Sequence, residues 1–221
     1  MEIKKVILQT SALKELTAFY QDLMELPIIN KDGNSITIRV GSTDLVFTHS
    51  GIADPFYHFA INIPANKIDE AKSWLADRVE LVWMDDYKSN IADFVNWHAK
   101  SVYFIDPAGN IVELIARFDL NNKTIEPFSS AQFLSISEMG LVFKGEELNV
   151  STENLLQQFQ LDYFEKQPPL PQFKAIGDDE GLFIVVPDNR NWYPTTKASG
   201  IFPMTIEFVN NGKEFVLKSY K

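Results

Sequence analysis

A single carboxylate set inside an apolar strand is the feature of this chain that most suggests chemistry. Asp106, Pro107, Ala108, Gly109 and Asn110 supply the Pro and Gly that a tight turn needs, so the apolar runs at 102–105 and 111–116 predict a hairpin. Side chains alternate along a strand. Val112, Leu114 and Ala116 therefore share one face, and Ile111, Glu113, Ile115 and Arg117 share the other. A carboxylate flanked by isoleucines is costly unless it is solvated, hydrogen-bonded or bound to a cation. Upstream, residues 56–63 read as a strand in which Phe59, Ile61 and Ile63 face a core while His58, Ala60 and Asn62 look the other way.

The elements that position these residues follow from periodicity. Ile68, Ala71, Trp74 and Leu75 recur at helical spacing between charged residues over 67–77. Strands around 79–83, 102–105 and 111–116 follow, so residues 58–117 read as a βαβββ unit. The unit is echoed on both sides. Residues 5–9, a helix carrying Leu13, Leu16, Phe19, Tyr20 and Leu23, and strands at 36–40 and 45–48 form a first copy. A third begins at 138–143, continues through a helix over 152–161 and ends with strands at 173–176 and 182–186. Residues 201–209 and 214–218 form a truncated fourth. Residues 119–130 are polar and aperiodic, which marks a linker. The expected organisation is therefore a domain of two paired modules at 1–118, a linker at 119–130, and a third module with the truncated fourth at 131–221.

A βαβββ unit with His58 opening its first strand, and with Glu113 in its last strand after an Asp-Pro-x-Gly-Asn turn, resembles a module of the vicinal oxygen chelate superfamily. Glyoxalase I, extradiol dioxygenases, fosfomycin resistance proteins and bleomycin resistance proteins share that module. The resemblance implies an α+β fold of repeated βαβββ modules, with curved mixed sheets around a cup and helices outside. It implies a small-molecule protein, and if active a metal-assisted lyase, isomerase or ring-cleaving dioxygenase acting on a substrate with vicinal oxygens. The alternative is a metal-free protein that sequesters its ligand, as bleomycin resistance proteins do.

In the superfamily each module of a pair can offer one ligand from its first strand and one from its last, a set suited to Zn, Ni, Fe or Mn. Here the resemblance places His58 and Glu113 as metal ligands, with Glu113 or His98 moving a proton. In the first module the matching positions are Lys5 and Val46, neither of which can donate a lone pair. Lys5 opposite Glu113 would neutralise the carboxylate where a cation otherwise sits, so a lysine in place of the metal is the competing expectation. His98 and His49 are candidate third ligands. Glu138 enters only if the third module packs against the second or chains exchange modules. With Phe183 and Met204 at the remaining ligand positions, the second half is expected to contribute packing, and Glu138→Gln to leave metal or ligand affinity nearly unchanged. Residues 84–99 form a long aromatic connection of the kind that covers a ligand, with Tyr87 and Trp97 as candidate ligand contacts. A lone Arg190 in 189–194 reads as solvated.

Composition narrows the partners. With 30 acidic and 20 basic residues the net charge is -10, which opposes nucleic acid and anionic membranes. The absence of Cys removes disulfides, thiolate ligands and a Cys nucleophile. The apolar run 6–8 after Lys4 and Lys5 is too short for export or anchoring, so a cytoplasmic location is expected. A small-molecule ligand is the expected partner, and the cup closes within one chain or between the two chains of a homodimer.

Overall fold

A computed structural model describes residues 1–52 and 54–219. The first module consists of β1 (Glu2–Thr10), α1 (Leu13–Ala18) running into a wider turn at Phe19–Leu23, β2 (Ile28–Lys31), β3 (Ser35–Val40) and β4 (Thr43–His49). The second has β5 (His58–Ile63), α2 (Ile68–Ala76), β6 (Ala92–Phe94), β7 (Ala99–Ile105) and β8 (Ile111–Arg117). The third has β9 (Ser135–Phe143), α3 (Leu148–Phe159), β10 (Lys174–Asp178) and β11 (Gly181–Pro187), and β12 (Met204–Asn210) with β13 (Lys213–Ser219) forms the truncated fourth. The strand expected at 79–83 is reduced to a single bridge between Leu81 and Phe104, and β6 takes the sheet edge in its place. No helix is long and apolar enough to cross a membrane among the described residues.

The pairing of modules differs from the order along the chain. β12 runs antiparallel to β1, which joins the fourth module to the first in a six-stranded sheet ordered β13-β12-β1-β4-β3-β2. β9 runs antiparallel to β5, which joins the third module to the second in a seven-stranded sheet ordered β10-β11-β9-β5-β8-β7-β6. The expected division at 119–130 therefore does not separate two independent sheets, because each sheet draws strands from both sides of that mostly exposed segment. All six residues of β5 are buried, and a strand so placed needs both edges hydrogen-bonded. β8 satisfies one edge and β9 the other.

One apolar core runs between the two sheets. Val6, Leu8, Leu45 and Phe47 come from the six-stranded sheet, Phe59, Leu114, Met139 and Phe183 from the seven-stranded one. α2 adds Ile68, Ala71 and Leu75 on one stripe, and Asp69 and Glu70 in its first turn complement the helix dipole. α3 buries Leu148, Thr152, Leu155 and Phe159 at the same spacing. The helices thus cover the face opposite His58 and Glu113, as an α+β fold with outer helices requires. Gly41 brings the sheets together: at φ +55 it holds the turn between β3 and β4, and a Cβ there would stand 1.9 Å from the Leu134 carbonyl oxygen.

Candidate functional site

His58, Glu113 and Glu138 converge on a cavity of about 310 Å³ in the seven-stranded sheet, and one ligand atom of each lies within 4.8 Å of the others. The register produces this. Ala60 pairs with Glu113 of β8 on one side and with Glu138 of β9 on the other, and His58 lies two residues earlier on the same face of β5.

The Asp106 to Asn110 turn sets the histidine. Asp106 accepts hydrogen bonds from the backbone N–H groups of Ala108 and Asn110, and the Asn110 side-chain oxygen accepts from the N–H of Tyr57 at 2.8 Å. The turn thereby fixes the residue before His58 against the start of β8. His58 Nδ1 lies 3.1 Å from the Ile111 carbonyl, which can only accept, so Nδ1 carries the proton and the Nε2 lone pair is free. Above the ring lies Trp192 at 5.0 Å between centroids, in space that only Gly140 leaves, since a Cβ there would meet the indole at 2.6 Å.

Burial controls the charges. It drives His58 down to about 4, with Arg190 adding to the effect. Burial and then the Glu138 carboxylate push Glu113 up to about 8. The 3.7 Å contact between His58 Nε2 and Glu113 Oε2 therefore joins a neutral imidazole to a protonated carboxyl at neutral pH, and is not an ion pair. Glu138 is raised by burial too, against the pull of Arg117. Arg117 is fully buried: its guanidinium donates to Glu138, to Asp179 at 3.3 Å and to Asn62 at 3.3 Å. Lys166 then links Asp179 to Asp119 at the surface.

These shifts give the metal-free protein a defined pH response. Glu113 is raised from 4.5 to about 8, so the stability it contributes is full below pH 4.5 and is lost as pH rises towards 8. His58 is lowered from 6.5 to about 4, so its contribution is lost as pH falls from 6.5 through 4. The two oppose each other between pH 4.5 and 6.5, and above that His58 no longer offsets Glu113, whose shift is coupled to that of Glu138. The unfolding free energy of metal-free protein is expected to fall between pH 6.5 and 8, with Glu113 contributing a slope of at most ~1.4 kcal/mol per pH unit. Denaturant melts of Glu113→Gln should show a shallower pH dependence over that range; an unchanged slope would mean that Glu113 is not the group responsible.

No family model matches the chain, and no curated protein does. Solved structures do. A protein named a putative dioxygenase from Bacillus subtilis subsp. subtilis str. 168 superposes with a TM-score of 0.59 at 15% identity over 84% of this chain, which spans 63% of that protein's length. Glyoxalase I from Zea mays superposes with a TM-score of 0.56 at 14% identity, covering 99% of this chain and 92% of its own. This chain has the vicinal oxygen chelate fold. At these identities the likeness is one of fold.

Within that fold the cavity gathers some expected residues and not others. His58, Glu113 and Trp97 line it. Lys5 does not: it lies on the six-stranded sheet, partly exposed, with Glu207 at 4.0 Å. It cannot stand opposite Glu113, because β1 pairs with β4 and β12, away from β5 and β8. His98 adopts a left-handed φ of 51 at the end of a short turn, which sends its ring outward to Asp119 at 2.7 Å, and its side chain is 61% exposed. Tyr87 is 38% exposed and outside the cavity wall. His49 is exposed at the end of β4, in the other sheet.

The fourth ligand position also shifts. Gly140, two residues beyond Glu138, pairs with Ile184, as Ala60, two residues beyond His58, pairs with Glu113. Ile184 therefore faces the cavity, and Phe183 points into the core. A one-residue difference in register reverses the face. Sequence reasoning admitted Glu138 only if the third module packs against the second, a condition that the pairing of β9 with β5 meets.

Proposed function

We propose that the chain binds one divalent transition-metal ion through His58, Glu113 and Glu138 and acts on a small molecule that presents two adjacent oxygens. The convergence of three buried ligand atoms within 4.8 Å on one cavity supports this reading above all else. One imidazole nitrogen and two carboxylate oxygens are donors that Zn, Ni, Fe and Mn accept, and Ile184 at the fourth position leaves coordination sites for a substrate. A metal held there would act as a Lewis acid on a substrate oxygen. The Ile111 carbonyl keeps His58 in the tautomer that presents Nε2. Glu113 faces the cavity and would carry a proton only while it is not ligating the ion, since a metal-bound carboxylate is ionised. Trp192, Trp97 and Tyr103 put aromatic surface around the space above the ligands. Lyase, isomerase and ring-cleaving reactions can all start from such a site, and the glyoxalase and dioxygenase names of the structural neighbours agree with that class.

A metal-free sequestering protein is the second reading, favoured by one observation. Arg117 already neutralises Glu138, and Glu113 is protonated near neutral pH, so the pocket is electrically satisfied without an ion. Calorimetric titration with Zn or Ni, on protein purified without a histidine tag or chelator, decides between them. One ion per chain is expected, lost in His58→Ala and unaffected by Lys5→His. Failure of the unmodified protein to take up either metal would leave the sequestering reading.

A further inference from the structure

We infer that the ligand of this cavity is a flat aromatic monoanion whose carboxylate is held by Arg190. The inference deepens the proposed function by naming a ligand class, and the anchoring at Arg190 does not itself require a metal. Three observations carry it.

The first is the wall. Phe94, Trp97, Tyr103, Phe173, Trp192 and Tyr193 all face the cavity, a surface that suits the faces and edges of an aromatic ring.

The second is charge. Arg190 lines the same cavity, half-buried, stacked 5.4 Å from Phe173, with Nη1 donating to the Asn191 carbonyl at 3.2 Å. Among the described residues no ion pair includes it. A guanidinium partly withdrawn from water and without a carboxylate partner gains a charge-assisted pair from a ligand that supplies one. The nearby charges Glu138, Arg117, Asp179, Lys166 and Asp119 pair with one another in a chain of alternating sign that does not include Arg190. Arg190 therefore has a guanidinium to offer, and it matches one anionic group on the ligand.

The third is a vacant hydrogen bond. The Tyr193 hydroxyl is buried with no partner among the described residues, and Tyr193 lines the cavity. An oxygen of the ligand would satisfy it. The segment carrying these side chains is held in place: Asn189 N–H and Trp192 N–H donate to the Ser199 and Lys197 carbonyls at 3.0 and 2.9 Å, and Ser199 N–H donates to the Arg190 carbonyl at 2.8 Å. With one cation and one hydroxyl in an aromatic wall, the site fits a carboxylate and lacks the donors that a phosphate dianion needs.

The test compares naphthoate with naphthamide, which share ring and size and differ in charge, by calorimetry on the full chain. Naphthoate is expected to bind ~10-fold or more tightly than the amide, the difference a charge-assisted hydrogen bond supplies. Arg190→Gln should erase that preference and Arg190→Lys keep part of it, with naphthoate affinity falling more than naphthamide affinity in both. A preference that persists in Arg190→Gln, equal affinities in the unmodified protein, or no binding of either probe would each overturn the inference. His58→Ala separates this inference from the metal reading. A preference lost in His58→Ala but kept in Arg190→Gln would put the carboxylate on the metal, refuting the present inference and sustaining that reading. An Arg190-dependent preference in protein that binds no metal would sustain the inference and refute the metal reading.

Discussion

Glu138→Gln is expected to weaken Zn or Ni binding by about 100-fold or more, beyond the usual cost of losing a supporting partner of a metal ligand. A carboxamide has no negative charge to give the ion, yet its oxygen can still accept from Arg117. The fold should therefore survive and the loss should be specific to metal. This reverses the expectation from sequence that the second half of the chain contributes packing alone, because β9 sets Glu138 beside Ala60, across β5 from Glu113. Calorimetry on the variant, with circular dichroism to confirm folding, provides the check. Affinity within a few-fold of the unmodified protein would remove Glu138 from the site.

Arg117→Met should be the most destabilising single change in the site, by about 3–5 kcal/mol, because removing one partner strands the others in a buried setting. Glu138 loses its guanidinium, Asp179 keeps only Lys166, and Asn62 loses a donor. Glu138 can limit the penalty by taking up a proton, so the loss should shrink at acidic pH, where a carboxyl is protonated in the unfolded chain as well. Saturating Zn should restore part of the stability, since the ion takes over the charge of Glu138. Denaturant melts with and without metal measure both effects. Destabilisation without metal rescue would mean that Arg117 is a structural ion-pair partner and that Glu138 does not reach the ion.

Local periodicity was enough to place much of this. The hairpin around Asp106 to Asn110, the alternation that turns Glu113 and His58 from the face of Leu114 and Phe59, and the helical spacing of Ile68, Ala71 and Leu75 are all properties of adjacent residues. They made the βαβββ unit at 58–117 and the fold it belongs to legible. The strand at 79–83 failed because Leu81 makes one bridge to Phe104, while Ala92 to Phe94 offers β7 a continuous edge.

Tertiary structure alone chose which modules meet. Nothing in the alternation of β5 says whether β1 or β9 will cover its free edge, since both are apolar strands with suitable faces. The choice is made by burying both edges of β5 and by close approaches such as Gly41 against Leu134. Once β9 is beside β5, Glu138 joins His58 and Glu113, Arg117 acquires Glu138 and Asp179, and Lys5 is left on the other sheet. A strand's own pattern fixes which way each side chain points, whereas the identity of its neighbour depends on the free energy of the whole core, summed over residues far apart in the chain.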